Sequence, residues 1–275
     1  MYKIIKKRAL APKVNEYIIH APKIAKHAFP GQFVILRVDE KGERIPFTVC
    51  DYDRANGTVT LLVQEVGYST AKLALVPEGG FISDIVGPLG KPTDLSGYKN
   101  IALVGGGIGS AVIYPQAKLL FEQGNSATVI IGAREKLLIV YEDEFKKTAK
   151  KLIIATDDGS YGIKGFVTDA LKEGLEKGEY DCVMAVGPMP MMRAVCALTK
   201  NYGVKTVVSM NPVMVDGTGM CGGCRLTVGG VTKYACVDGP EFDGHEIDWD
   251  EAMMRLGAYK TQEKEHACRL TGEKR

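Results

Sequence analysis

Three of the seven cysteines, Cys221, Cys224 and Cys236, fall within sixteen residues of the segment MVDGTGMCGGCRLTVGGVTKYACVDGPEFDG, Met214 to Gly244. Thiols gathered at this spacing are soft ligands for zinc or for an iron–sulfur cluster. Asp216 stands five residues ahead of Cys221. With a cysteine at 216 the pattern would read C-x4-C-x2-C…C, a spacing that holds [2Fe–2S] clusters. Gly217, Gly219, Gly222 and Gly223 let the chain wrap closely, so that backbone N–H groups reach the sulfurs without side-chain clashes. Asp216 then takes the first ligand position, with oxygen in place of sulfur. An Asp before a Gly is also a common turn residue, and that reading stays open. Zinc is the main competitor. Structural zinc sites usually present two ligand pairs, whereas here one C-x-x-C is joined by a lone Cys236 with no close His. The expectation from these residues is a [2Fe–2S] cluster on Cys221, Cys224 and Cys236, with Asp216 either its fourth ligand or a turn residue. Cys50, Cys182 and Cys196 read as core filling, and Cys268 has no account.

A second chemical signal lies in IALVGGGIGSAVIYPQAK, where Gly105, Gly106, Gly107 and Gly109 stand between an apolar run and a helix pattern. A pyrophosphate can rest there on a helix N-terminus, with glycines permitting close backbone approach. A glycine-rich turn without a ligand is the plain alternative. VGPMPMM, Val186 to Met192, opens another helix on the same sheet edge and brings Gly187, Pro188 and Met189 to the crevice. Its methionines equally suit core filling. Arg134, after the second strand, lies where the 2′-phosphate of NADP would sit. Asp157 and Asp158, after the third, suit the ribose hydroxyls of NAD. The two signals conflict. No Ser/His/Asp or Cys/His constellation surrounds His20, His27, His245 or His266, so no catalytic base or nucleophile is expected.

These residues need elements to position them. Residues 1–96 read as short strands punctuated by turns: KIIKKRALA, VNEYIIHAP, QFVILRVD, PFTVCDYD and GTVTLLVQEV. That pattern predicts an antiparallel β-barrel or sandwich. Gly87 to Asn100, rich in Gly and Pro, leads out of it. Residues 97–210 change texture. NIALVGG, SATVIIGA, KLIIATDD, YDCVMAVGP and VKTVVSM are continuous apolar runs separated by helix patterns that end near Gly. They predict a doubly wound parallel sheet of five strands. Residues 211–275 hold the cysteine loop and a charged tail.

The 275 residues allow two compact domains and an extension. A net charge of +2 gives no reason to expect nucleic acid or an anionic membrane. No window approaches the ~18 unbroken apolar residues of a membrane span. An odd number of cysteines in a full-sized chain points to reduced thiols and a cytoplasmic location.

A strand-rich domain followed by GGGIG and VGP resembles the ferredoxin–NADP reductase superfamily, whose barrel carries FAD. The cysteine segment narrows the likeness to the branch that contains the dihydroorotate dehydrogenase electron-transfer subunit. Asp216 with GTGMCGGC and CVDGPEFDGH is similar to the small subunits of electron-bifurcating NADH-dependent ferredoxin:NADP oxidoreductases, also called sulfide dehydrogenase subunits. That resemblance implies FAD, a [2Fe–2S] cluster and NAD(H) as cofactors, with Asp216 a cluster ligand. It implies FAD contacts at Arg44, Pro46, Phe47 and Thr48, and at Val63, Gln64, Gly67, Ser69 and Thr70. Arg44 departs from the superfamily's Arg-x-x-Ser/Thr signature, standing four residues before Thr48 rather than three. The implied activity is electron transfer among NAD(H), FAD and the cluster to a larger flavin and iron–sulfur subunit, which handles ferredoxin and NADP(H). Alternatives are the dihydroorotate dehydrogenase or sulfide dehydrogenase electron-transfer subunit, a stand-alone ferredoxin reductase and, from another class, a zinc-stabilised regulatory module.

Overall fold

The computed structural model describes residues 1–259 and Gln262; Cys268, His266 and most of the charged tail lie outside the described residues. The N-terminal strands and helices are β1 (Tyr2–Ala11), β2 (Val14–His20), α1 (Pro22–His27), β3 (Phe33–Arg37), β4 (Arg44–Thr48), β5 (Asp51–Asp53), β6 (Thr58–Gln64), α2 (Tyr68–Ala74), β7 (Phe81–Ile82) and β8 (Asp84–Leu89). The antiparallel character expected here holds. Backbone pairing gives two sheets, β5-β6-β2-β1-β7 and β4-β3-β8, and no closed barrel is recorded among the described residues. The run PFTVCDYD, expected as one strand, is two. Val49 N donates to Gln32 O at 3.0 Å and Cys50 N to Thr60 O at 2.9 Å, so the chain changes sheet at this corner. Ile4, Tyr17, Ile19, Val34, Leu36 and Leu61 fill the space the two sheets enclose.

The second region runs β9 (Ile101–Gly106), α3 (Gly109–Glu122), β10 (Thr128–Ala133), α4 (Glu142–Thr148), β11 (Lys151–Thr156), β12 (Ile163–Lys164), α5 (Val167–Glu176), β13 (Cys182–Val186), α6 (Met189–Lys200) and β14 (Lys205–Ser209). The five expected strands pair in parallel in the order β11-β10-β9-β13-β14. β9 is buried along its whole length, as a central strand covered on both faces must be. Its side chains divide between two cores. Ala102 and Val104 pack with residues of α5 and α6, while Ile101 and Leu103 pack with residues of α3 and α4. Helices therefore cover both faces, and the strand order turns back between β9 and β13. The crevice beyond the carboxyl ends of those two strands is where such sheets bind ligands.

The extension adds β15 (Arg225–Val228), β16 (Val231–Tyr234), α7 (Ala235–Asp238), β17 (Glu241–Asp243) and α8 (Trp249–Leu256). β17 pairs antiparallel with β14 and becomes an edge of the parallel sheet. Cys224, Leu226, Cys236 and Ala252 share the core of the α5–α6 face. Among the described residues no helix is long and apolar enough to cross a membrane.

Candidate functional site

The cysteine loop bends where its glycines allow it: Gly217, Gly219 and Gly222 have φ of 74°, 84° and 67°. Two of its sulfurs already receive backbone N–H groups. Gly223 N lies 3.4 Å from Cys221 Sγ, and Cys236 N lies 3.4 Å from Cys224 Sγ. Cys224 and Cys236 are buried and adjacent, whereas Cys221 is exposed. Burial, and then the neighbouring Cys224 thiol, push Cys236 up to about 12. Asp216 closes the loop on itself, accepting from Thr218 N and Cys221 N at 2.8 Å each. The Thr218 N–H is the first cause that holds this carboxyl below its usual range. Among the described residues no three His, Cys, Asp or Glu side chains converge as a metal-holding group. The donor chemistry nevertheless fits an iron–sulfur cluster: three thiols, one ionised carboxylate and N–H groups aimed at sulfur. Each Asp216 oxygen accepts one of these N–H groups and keeps a further lone pair for a metal.

The loop is seated on the N-terminal region. A Cβ on Gly217 would stand 2.8 Å from Leu89 Cδ1 and 2.9 Å from Ile35 Cγ1. Ile35 is the register partner of Pro46, and Phe33 of Thr48. Arg44, Pro46 and Thr48 thus share a face of the β4-β3-β8 sheet with Phe33, Ile35 and Arg37. Phe47 points the other way, against the core between the two sheets. Val63 is buried in that same core, and Gln64 is exposed. α2 begins after Gly67. The Thr70 hydroxyl accepts from Val66 N and Gly67 N at 3.0 Å each, and the Ser69 hydroxyl donates to Glu43 Oε2 at 2.7 Å. Both hydroxyls therefore have local tasks.

At the nucleotide crevice the glycines divide by role. A Cβ on Gly105 would meet Ser110 Cα at 2.6 Å, and one on Gly109 would meet Val186 O at 2.3 Å. One on Gly106 would meet Met191 Sδ at 2.3 Å. These three are glycine because α3 and the β13–α6 turn crowd the end of β9. Gly107 differs: its φ is +56° and nothing lies within 4 Å of its Cβ position, so it borders open space. Gly187 packs on Gly106, with Cβ 3.1 Å from Gly106 Cα, and Pro188 caps α6. The two turns thus form one crevice wall. Met189 is buried in the core, the filler role that its residue type allows. Arg134, Asp157 and Asp158 are exposed together where β10 and β11 end; Asp158 N donates to Arg134 O at 3.2 Å. Asp158 is also tied to Ser160 N at 2.9 Å, the first cause of its lowered pKa.

Several residues with structural consequences at this site carry no sequence signal. Tyr141 adopts the left-handed region at φ 63°, and its hydroxyl donates to Glu16 Oε1 at 2.9 Å across the boundary with the N-terminal region. Burial, first, raises the Tyr141 pKa, so the hydroxyl stays a donor. Arg8 Nε donates to Glu16 Oε2 at 3.2 Å, and Lys118 pairs with Asp51 at 2.8 Å across the same boundary. On the extension, Glu241 accepts from the Thr93 hydroxyl at 2.7 Å; burial pushes its carboxyl up to about 7. Cys50, Cys182 and Cys196 are buried, as expected for core filling.

Comparison with known proteins adds three findings. Residues 103–197 match the oxidoreductase NAD-binding domain, and 211–248 match the iron-sulfur cluster binding domain of dihydroorotate dehydrogenase B. A Thermotoga maritima protein described as a dihydroorotate dehydrogenase B (NAD(+)) electron transfer subunit homolog is 50% identical, over 95% of this chain and 92% of its own. An uncharacterized Clostridium beijerinckii protein is 50% identical over 96% and 92%. Among solved structures, a chain from the NADH-dependent reduced ferredoxin-NADP oxidoreductase, studied for flavin-based electron bifurcation, superposes with a TM-score of 0.94 at 47% identity, covering 98% of each chain. Phthalate dioxygenase reductase, at 17% identity and a TM-score of 0.61 over 82% and 85%, shares the fold.

Proposed function

The chain belongs to the family of dihydroorotate dehydrogenase B electron-transfer subunits and their homologues, and from that premise we propose how its residues divide the work. NADH docks at the crevice between β9 and β13, its pyrophosphate over Gly107 and the start of α3, with Gly105, Gly106 and Gly109 shaping the turn beneath. Asp157 takes the adenosine ribose hydroxyls, and Arg134 flanks them. Pro188 and Gly187 form the opposite wall. Thr48 and Pro46 place the flavin of FAD on the β4-β3-β8 face, and Arg44 lies further along the same face toward its phosphates. Asp216, Cys221, Cys224 and Cys236 hold a [2Fe–2S] cluster. When bound, the flavin exchanges a hydride with the nicotinamide and the cluster carries one electron at a time.

The observation that carries this reading is the seat of Gly217 on Ile35, the register partner of Pro46. It supports the reading because the cysteine loop lies against the strand pair to which we assign the flavin contacts. The chain's residues need no proton acceptor of their own for the hydride step. Their task is to fix two docking faces and one loop in mutual register. The buried Tyr141–Glu16 contact holds the nucleotide sheet to the N-terminal sheets.

The exposed edge at Cys221 faces away from the core, which suits delivery of electrons to a larger flavin and iron–sulfur subunit. The finer assignment is a complex in which that partner handles ferredoxin and NADP(H), and it is supported by the 47% identity to the NADH-dependent reduced ferredoxin-NADP oxidoreductase chain. None of the six described cysteines is paired in a disulfide, which supports a cytoplasmic location. The test is to purify the full chain with and without the larger subunit. Alone, it reduces artificial dyes with NADH and fails to couple NADH to NADP. Unaided coupling of NADPH, NAD and ferredoxin by the single chain would end the subunit reading.

A further inference from the structure

Arg37 is the one arginine among the described residues whose Nε is buried with no hydrogen-bond partner. It sits at the end of β3, and its register partner on β4 is Arg44. Two guanidinium groups directly opposite on one sheet face repel each other. Asp84 faces Arg37 from the neighbouring strand on the other side, yet Nε remains unpartnered. A buried guanidinium donor left unmade is destabilising by more than an ordinary lost hydrogen bond. Two independent features, the orphaned donor and the like-charge pair, thus call for the same thing: an anion on this face that accepts from both arginines.

We infer that Arg37 and Arg44 form a two-arginine clamp for a phosphate group of the flavin dinucleotide. The inference rests on the flavin assignment above and adds to it a residue, Arg37, on a different strand from the expected contacts. The spacing supports it. Thr48, Pro46 and Arg44 follow one another on the same face, so Thr48 and Arg44 lie about 13 Å apart along the strand. With a flavin contacted at Thr48, that span is of the order needed for its phosphate to come within reach of the two arginines. Arginine suits the role, since its planar fork meets two phosphate oxygens at once.

The test strips flavin from the full chain and titrates it with FAD and, separately, with riboflavin, which has the ring and ribityl chain but no phosphate. Arg37→Gln is expected to weaken FAD binding roughly ten- to hundredfold while leaving riboflavin within about twofold of the unsubstituted chain. Arg37→Lys should recover part of the FAD affinity. A second reading separates a clamp from a merely structural arginine. Arg37→Gln should shrink the rise in unfolding temperature that saturating FAD gives, while the flavin-free chain stays folded. Equal FAD affinity in Arg37→Gln and the unsubstituted chain overturns the clamp, as does an equal loss for riboflavin. If the unsubstituted chain bound riboflavin and FAD not at all, the flavin assignment itself would fall, a result distinct from either.

Discussion

Gly217 lies on Ile35, close enough that a Cβ on the glycine would stand 2.9 Å from Ile35 Cγ1. Its φ of 74° independently favours glycine. Gly217→Ala therefore meets both strain and crowding, on the order of 1–3 kcal/mol, confined to the loop. Purified Gly217→Ala should lose iron and sulfide relative to FAD, read by elemental analysis and visible absorption. Full iron occupancy would detach the loop's seat from its ligand role.

Tyr141 and Glu16 make the second testable contact. Tyr141→Phe leaves the buried Glu16 carboxylate with Arg8 and without its hydroxyl donor. The expected loss is about 1–3 kcal/mol in urea unfolding. Because the contact joins the nucleotide sheet to the N-terminal sheets, NADH-dependent flavin reduction in a stopped-flow instrument should slow while FAD affinity stays unchanged.

Glu241 gives a pH dependence with a defined sign. Burial raises its folded-state value to about 7, above the ordinary carboxylate range. A carboxyl raised in this way binds its proton more tightly folded than unfolded. Stability from this group is therefore highest in acid and falls as pH rises from about 4.5 to about 7. Glu241→Gln should flatten that part of the profile and stabilise the chain above pH 7 by a few kcal/mol at most. Unfolding temperatures at pH 5 and pH 8 for both proteins decide it.

The nucleotide preference can be read from two substitutions. Asp157→Ala should weaken reduction by NADH, and Arg134→Ala should leave it nearly unchanged. Stopped-flow reduction with NADH and NADPH checks both. A preference for NADPH that Arg134→Ala abolishes would move the adenosine contact from Asp157 to Arg134.

Legibility varied with how far each feature depends on local pattern. The five parallel strands are continuous apolar runs between helix patterns, and that local texture marks them. The cysteine loop is marked by residue type and spacing. β17 is three residues, Glu241–Asp243, and exists because β14 offers it an open edge. No local pattern announces it. PFTVCDYD is one β-rich run by composition, yet Val49 and Cys50 carry it from one sheet to another. The glycine turn was legible as a turn, but only tertiary packing shows that Gly105, Gly106 and Gly109 serve close contact while Gly107 borders open space. Arg37, Tyr141 and Glu241 are ordinary in sequence and acquire meaning from residues far along the chain.

The central claim is that electrons from NADH pass through a flavin to a cluster held by the Gly217 loop. An anaerobic NADH titration of the full chain, followed by visible absorption and electron paramagnetic resonance, tests it most directly. The account predicts bleaching of the flavin band together with the signal of a reduced [2Fe–2S] cluster. In Cys221→Ser the flavin should still bleach and the signal should vanish. A chain that purifies with zinc and without flavin would contradict the account, as would a cluster signal that persists unchanged in Cys221→Ser.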